Sequence, residues 1–184
     1  MEAAGLFAAR GYEAVGVQDL CDASGITKPT LYYHFGSKEG ILAALFEERF
    51  GFFNSTIKTA AEYPGSRRGD LAGVLLSTMS AFISAARTDV DFARVRLSSS
   101  FCPPSSASYR AARPYLEVLY GTLTATFQAA AGEHGNMAGR ALPYAASFIG
   151  AADAYTALYL AGDLDPDEDF LHRAVHYFMH GIFS

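Results

Sequence analysis

VQDLCDASGITKPTLYYHFGSK, residues 17–38, decides the fold. Val17, Leu20 and Cys21 fall at i, i+3 and i+4 and give a short helix one apolar face. Asp19 lies in its first turn, where a negative charge suits the helix dipole. Gly25 stands where the chain must reverse, and glycine takes the left-handed conformation at little steric cost. Thr27 then serves as N-cap of a further helix, with Lys28 and Pro29 in its first turn. Leu31 and Phe35 repeat at i, i+4 and are expected to face the core. Lys28, Thr30, Tyr32, Tyr33 and His34 are left around the rest of that helix. Gly36 ends it, Ser37 caps the next, and Lys38 sits in the first turn. Two short helices joined by a tight glycine turn are the outline of a DNA-binding helix-turn-helix. A solvated helical hairpin has the same outline, since short helix pairs are common. The residue types favour the first reading, because a face of lysine, threonine, tyrosine and histidine can donate to phosphates and reach base edges.

The longer stretch GITKPTLYYHFGSKEGIL, residues 25–42, resembles the signature of the TetR family of bacterial transcriptional repressors. AAGLFAARGYEAVGVQDLCDASG, residues 3–25, is similar to that family's first helix, Gly-Tyr corner and second helix. The resemblance covers about Ala3 to Phe46. It implies an all-α homodimer: a three-helix helix-turn-helix DNA-binding domain over 1–46, and a larger helical domain over 47–184 for effector binding and dimerisation. It further implies a near-palindromic double-stranded DNA operator that a small effector releases. By position it assigns Lys28 and Thr30 to bases and Tyr32 to methyl or sugar contacts. Thr27, Tyr33, His34 and Lys38 fall to the DNA surface as phosphate contacts or neighbours, and Gln18 to the backbone.

Three features depart from the family pattern. Val15 and Gly16 stand where a Thr or Ser often caps the second helix and meets a phosphate, so that cap is expected to be weak. Gly40 replaces a frequent glutamate, so Ser37 caps without a reciprocal partner. The chain opens at Met1 inside the expected first helix, leaving about three turns up to Arg10. Family members usually carry a polar, often basic arm before that helix, so a shortened piece, a misplaced start and a genuinely clipped protein are all expected alternatives.

Charge brings no bulk basic footprint. The net is −5 over 184 residues, and residues 1–50 hold four basic against seven acidic side chains. DNA binding has to rely on a few placed cations, helix N-termini and uncharged donors. A hydrophobic content of 51% and an aromatic content of 14% suffice for a packed core and exclude disorder. No uninterrupted apolar run approaches a membrane span, and Met1 leads no charged-then-apolar signal segment. Two cysteines make no disulfide framework; Cys21 lies on an apolar helical face and Cys102 in a loop-like FCPP, so a reduced, cytoplasmic protein is expected. No nucleophile elbow, phosphate loop, dinucleotide fingerprint or zinc-protease motif appears, which argues against an enzyme. Neither a cofactor nor a membrane partner is expected.

Beyond Lys38 the chain reads as helices only. A fourth runs from about Lys38 to Glu62, with Ile41, Leu42, Leu45, Phe46, Phe52 and Phe53 as its apolar positions, and Tyr63-Pro64-Gly65 stops it. Further helices are expected near 67–87, 90–97, 107–131 and 138–160, with Ser98–Ser108 read as a loop and residues 132–136 as a break. Asp165 and Pro166 are expected to open the last helix. An effector pocket, mostly aromatic, is expected among Phe82, Tyr109, Tyr120, Phe127 and Phe148, with Arg96 or Arg113 as anchors for an anionic group. The same spacing also fits plain core packing. Dimer contacts are expected on the last two helices, at Ala145, Ala152, Tyr155, Tyr159, Leu171, Val175 and Phe178, mainly on the resemblance. His172, His176 and His180 recur at i, i+4, i+8, but with no convergent cysteine or second histidine pair a metal is not expected. A helical ligand-binding dimer without DNA binding is the alternative reading.

Overall fold

The computed structural model describes residues 2–64, 70–133 and 137–181, and among these there is helix but no strand. Ten α-helices follow in order: α1 Glu2–Arg10, α2 Val17–Ser24, α3 Lys28–Phe35, α4 Lys38–Leu45, α5 Gly51–Ala60, α6 Leu71–Thr88, α7 Val90–Ser100, α8 Ala107–Ala131, α9 Ala141–Ala161 and α10 Glu168–His180. A π turn, Phe46–Phe50, joins α4 to α5. The expected start of α6 at residues 67–69 and part of the break at 132–136 lie outside the described residues.

The chain forms two compact units. The first comprises Met1–Phe53 and Asp89–Leu116. In it α1 packs on α2 and α7, α2 on α3, and α3 on α4. Ala4, Phe7, Val15, Leu20, Leu31, Leu42 and Phe46 are its buried apolar side chains near the N-terminus. An aromatic cluster lies farther along. Phe50 stacks on Tyr115 at 5.2 Å and meets Phe92 edge-on at 5.6 Å. The Arg49 guanidinium ties the π turn to Asp89 at 2.7 Å, and Asp89 also caps α7 through the Phe92 N–H.

The π turn corrects one expectation. A wider turn underwinds the helix by about one residue, so the apolar stripe resumes at buried Phe53 while Phe52 is 71% exposed. The Ser98–Ser100 run is helix rather than loop. Ser98 and Ser100 donate their hydroxyls to the carbonyls of Val95 and Arg96, which lets serine end a helix without competing for it.

The second unit comprises Asn54–Thr88 and Glu117–Ser184, with α6 packed on α9 and α10. Phe148 meets Phe178 at 5.2 Å and Phe127 at 6.4 Å. Among the described residues, α6 is the one helix long and apolar enough to cross a membrane, at mean hydropathy 1.3, although no long apolar run was expected. Its apolarity serves a core, since Leu71, Leu75, Met79, Phe82, Ile83 and Ala86 are all buried.

The last helix starts two residues later than Asp165 implied. Asp167 is the N-cap, its carboxylate accepting the Phe170 N–H at 2.7 Å. Asp165 instead accepts from Arg87 at 2.8 Å. Asp167→Ala is therefore expected to cost about 1 kcal/mol in a urea melt, the usual worth of an N-cap. Asp165→Ala, which removes a solvated ion pair, should cost less than about half of that. Equal losses would contradict the assignment.

Candidate functional site

The candidate DNA-contacting surface is built on caps. Gly25, at φ 64°, closes α2. Thr27 then opens α3, its hydroxyl accepting the Thr30 N–H and lying 3.0 Å from the Thr30 hydroxyl. Gly36, at φ 70°, closes α3, and Ser37 caps α4 by accepting the Gly40 N–H at 3.1 Å. The bare start of α2 is compensated from within, as the Asp19 carboxylate accepts the Gly16 N–H at 2.7 Å. That hydrogen bond, and then Arg10, hold the Asp19 carboxyl below its ordinary range.

Gly40 has a steric reason. A Cβ there would collide with the Phe35 carbonyl oxygen, so the turn between α3 and α4 is closer than any side chain permits. A glutamate could not complete a capping box in this backbone.

On α3 only Leu31 is buried. Lys28, Thr30, Tyr32, Tyr33 and His34 are all exposed, and Tyr33 is 85% exposed, so it does not pack against α1. Its ring meets His34 edge-on at 5.1 Å. Phe35 departs from expectation. It is 40% exposed, and together with Leu20, Leu31, Ile41 and Leu45 it lines a recess of about 370 Å³ rather than closing the core.

Lys38 has a different role from the one its position implied. Its ammonium donates to the Tyr12 and Val15 carbonyls, both at 3.1 Å, and lies 4.2 Å from the centre of the Tyr12 ring. It therefore fastens the corner between α1 and α2 to the start of α4. Gln18 donates to Asp22 at 2.7 Å. Arg10 and Arg49 are paired with Asp19 and Asp89. No ion pair among the described residues engages Lys28, which leaves it as the principal cation of the candidate DNA-contacting surface.

The residues expected around an effector separate. Arg96, Tyr109 and Arg113 belong to the first unit, and Phe82, Tyr120, Phe127 and Phe148 to the second. Arg96 is buried with its guanidinium 4.8 Å from the Phe53 ring, and Arg113 donates to the Tyr109 hydroxyl at 3.2 Å. Phe82, Phe127 and Phe148 are buried, while Tyr120 is partly exposed. Phe46, Phe50, Phe53, Phe92 and Tyr115, none of them singled out from sequence except as stripe positions, form the ring cluster beside Arg96.

Of the expected dimer positions, Ala145, Ala152, Leu171 and Val175 are buried in the unit's own core. Tyr155 packs on Phe170, Tyr159 under Arg87, and Phe178 on Phe148. The outward face of α9 is another one, with Leu142 at 58% and Leu158 at 42% exposure and Ala146, Gly150, Ala154 and Ala157 between them. The single charged residue of α9, Asp153, is buried. His176 and His180 lie 4.7 Å apart on exposed α10, but among the described residues no group of three metal-binding side chains converges.

Two measurements test this geometry. Burial, and then the Glu39 carboxylate, push the Tyr12 phenol up to about 12 from an ordinary 10. A group with a raised pKa in the folded state stabilises fully below its unfolded value. Stability of about 2–3 kcal/mol should therefore disappear as pH rises from 10 through 12. Tyr12→Phe should flatten that decline in denaturant melts at each pH. For Lys38→Met, a clamp predicts lower thermal stability with an unchanged slope of log affinity against log salt on DNA. A phosphate contact would instead reduce the slope by about one per copy, as expected for Lys28→Ala.

Residues 2–45 match the family described as bacterial regulatory proteins, tetR family. Over 64 residues the chain is 39% identical to the transcriptional repressor KstR2 of Rhodococcus jostii, a match spanning 33% of this chain and 31% of that protein. The chain thus matches about a third of the length of that curated relative. Over 98% of its length it superposes on the TetR-family regulator PfmR of Thermus thermophilus, with TM-score 0.74, 22% identity and 96% of that chain covered. It superposes equally on FadR of Bacillus subtilis solved with stearoyl-CoA, with TM-score 0.77, 18% identity and 96% covered. Residues 2–45 thus form a tetR-family regulatory domain, and the chain as a whole shares the fold of these solved regulators.

Proposed function

We propose that this chain is a TetR-family, ligand-responsive transcriptional repressor that binds a near-palindromic operator as a homodimer in the cytoplasm. Residues 1–46 read DNA, and 47–184 bind effector and dimerise. The observation that carries this reading is α3, a helix with one buried residue and an exposed face of Lys28, Thr30, Tyr32, Tyr33 and His34. An eight-residue helix that buries only Leu31 contributes little to a core, so its outward side chains need another use.

Lys28 and Thr30 sit at the N-terminal end of α3, where a helix entering the major groove meets base edges. Tyr32, Tyr33 and His34 follow on its outer side, with Thr27 and Gln18 near the backbone. Because Lys38 and the arginines are engaged within the protein, phosphate contacts come from hydroxyls, helix N-termini and Lys28.

The dimer face is the outward side of α9 with the adjoining side of α10. A 21-residue helix with no exposed charge is not built to face water. Its small residues let a second copy approach closely, and a twofold axis makes the patch self-complementary. The effector is apolar or aromatic, in keeping with rings about Arg96 and about Phe127 and Phe148.

Selection from a random duplex library tests the reading. A dimeric regulator should enrich a near-palindrome, and Lys28→Ala with His34→Ala should abolish that enrichment while the fold is retained. A well-folded dimer that enriches nothing would instead be a ligand-binding dimer without DNA recognition.

A further inference from the structure

We propose that a recess in the second unit is a site for one uncharged aromatic molecule of one or two rings. The inference rests on the ligand-responsive reading above and names the class of ligand. The recess is about 170 Å³ and is walled by Leu71 and Leu75 of α6, Phe127 of α8, Tyr144 of α9 and Phe178 and Met179 of α10, with Met137 beside them.

Size sets the first limit. An apolar cavity of about 150 Å³ holds a benzene molecule, and close-packed interiors rarely leave voids larger than a water molecule. This recess, which opens to solvent on one side, is therefore of ring size and encloses no more than one end of a long acyl chain. Chemistry sets the second limit, since no lining side chain carries a charge. A charged ligand would lose its hydration without a partner. Three aromatic rings and two thioethers favour an aromatic guest, because ring edges and sulfur both make specific contacts with a π system. The Tyr144 hydroxyl is the one hydroxyl of the lining and can hydrogen-bond a single polar substituent.

Position gives the occupant an effect. Phe178 and Met179 line the recess, while His176 and Tyr177, directly before them on another face of the same helix, are exposed. An occupant that moves α10 outward or along its axis shifts the surface assigned to the second copy. Site and interface are thus two sides of one helix, which is a physical route for coupling.

Indole is the probe. The chain contains no tryptophan, so indole emission can be followed on the full chain without background. A saturable blue shift is expected, with half-saturation on the order of 0.1–1 mM for a ligand of this size. Leu75→Phe and Met137→Phe each fill the recess from a different segment. Each should weaken indole binding at least about fivefold, provided its melting curve remains cooperative. Two variants guard against one failing to fold. Unsaturable or unshifted emission, equal binding by both folded variants, or tighter competition by octanoate than by toluene would overturn the proposal. None of these readouts involves DNA, so a failed operator selection and a failed indole titration are separate results.

Discussion

The packing of the N-terminal helices depends on one ammonium group. Lys38 stands at the first turn of α4, yet its donors go back to the carbonyls of Tyr12 and Val15, and its charge rests on the Tyr12 ring. Gly11, at φ 78°, turns the chain so that those two carbonyls converge. Without the clamp, the Val15 carbonyl would lose the lysine donor, the Tyr12 carbonyl would keep only the Val15 N–H at 3.3 Å, and α4 would lose its hold on the corner between α1 and α2. Lysine suits the task because its three donors radiate from a point charge and its stem packs along the ring. The position of α3 follows, since it is suspended between α2 and α4 by two glycine turns.

That arrangement limits how DNA can be bound. Arg10, Lys38 and Arg49 serve the fold, so the surface beside α3 has little fixed positive charge. Neutral donors must orient the protein, and these have short reach. A reader of this kind gains less from long-range attraction than from close fit, which places the burden of recognition on the shape of α3 and on the spacing between two copies of it.

Legibility in the sequence follows the range of the forces involved. Helix caps are local, and Gly25, Thr27, Gly36 and Ser37 could be read from residue type and spacing alone. Asp167 was missed in favour of Asp165 because both precede an acidic first turn. In the structure Asp165 pairs with the distant Arg87 and Asp167 accepts the Phe170 N–H, a choice that residue type alone does not decide. Phe52 was misplaced because the π turn breaks the 3.6-residue phase, and nothing in FEERF announces it. Gly40 looked like a lost cap partner, whereas it marks a close approach to the Phe35 carbonyl, visible only once the turn is built.

The interface residues show a deeper ambiguity. ALPYAASFIGAADAYTALYLA is apolar around its whole circumference, so periodicity cannot tell an inward face from an outward one. Bulk resolves it in the structure. Phe148 and Ile149 turn inward, where Phe148 meets Phe127 of α8 and Phe178 of α10, and Ala146, Gly150, Ala154 and Ala157 turn outward. An all-apolar helix at the edge of a unit is stable only if both faces are covered. The core covers one, and the smallness of the other restricts its partner to something that can come near along several turns. A second α9 meets that condition by symmetry, because the same small residues then oppose one another. The proposed dimer would thus cover the face of α9 that the unit's own core leaves exposed.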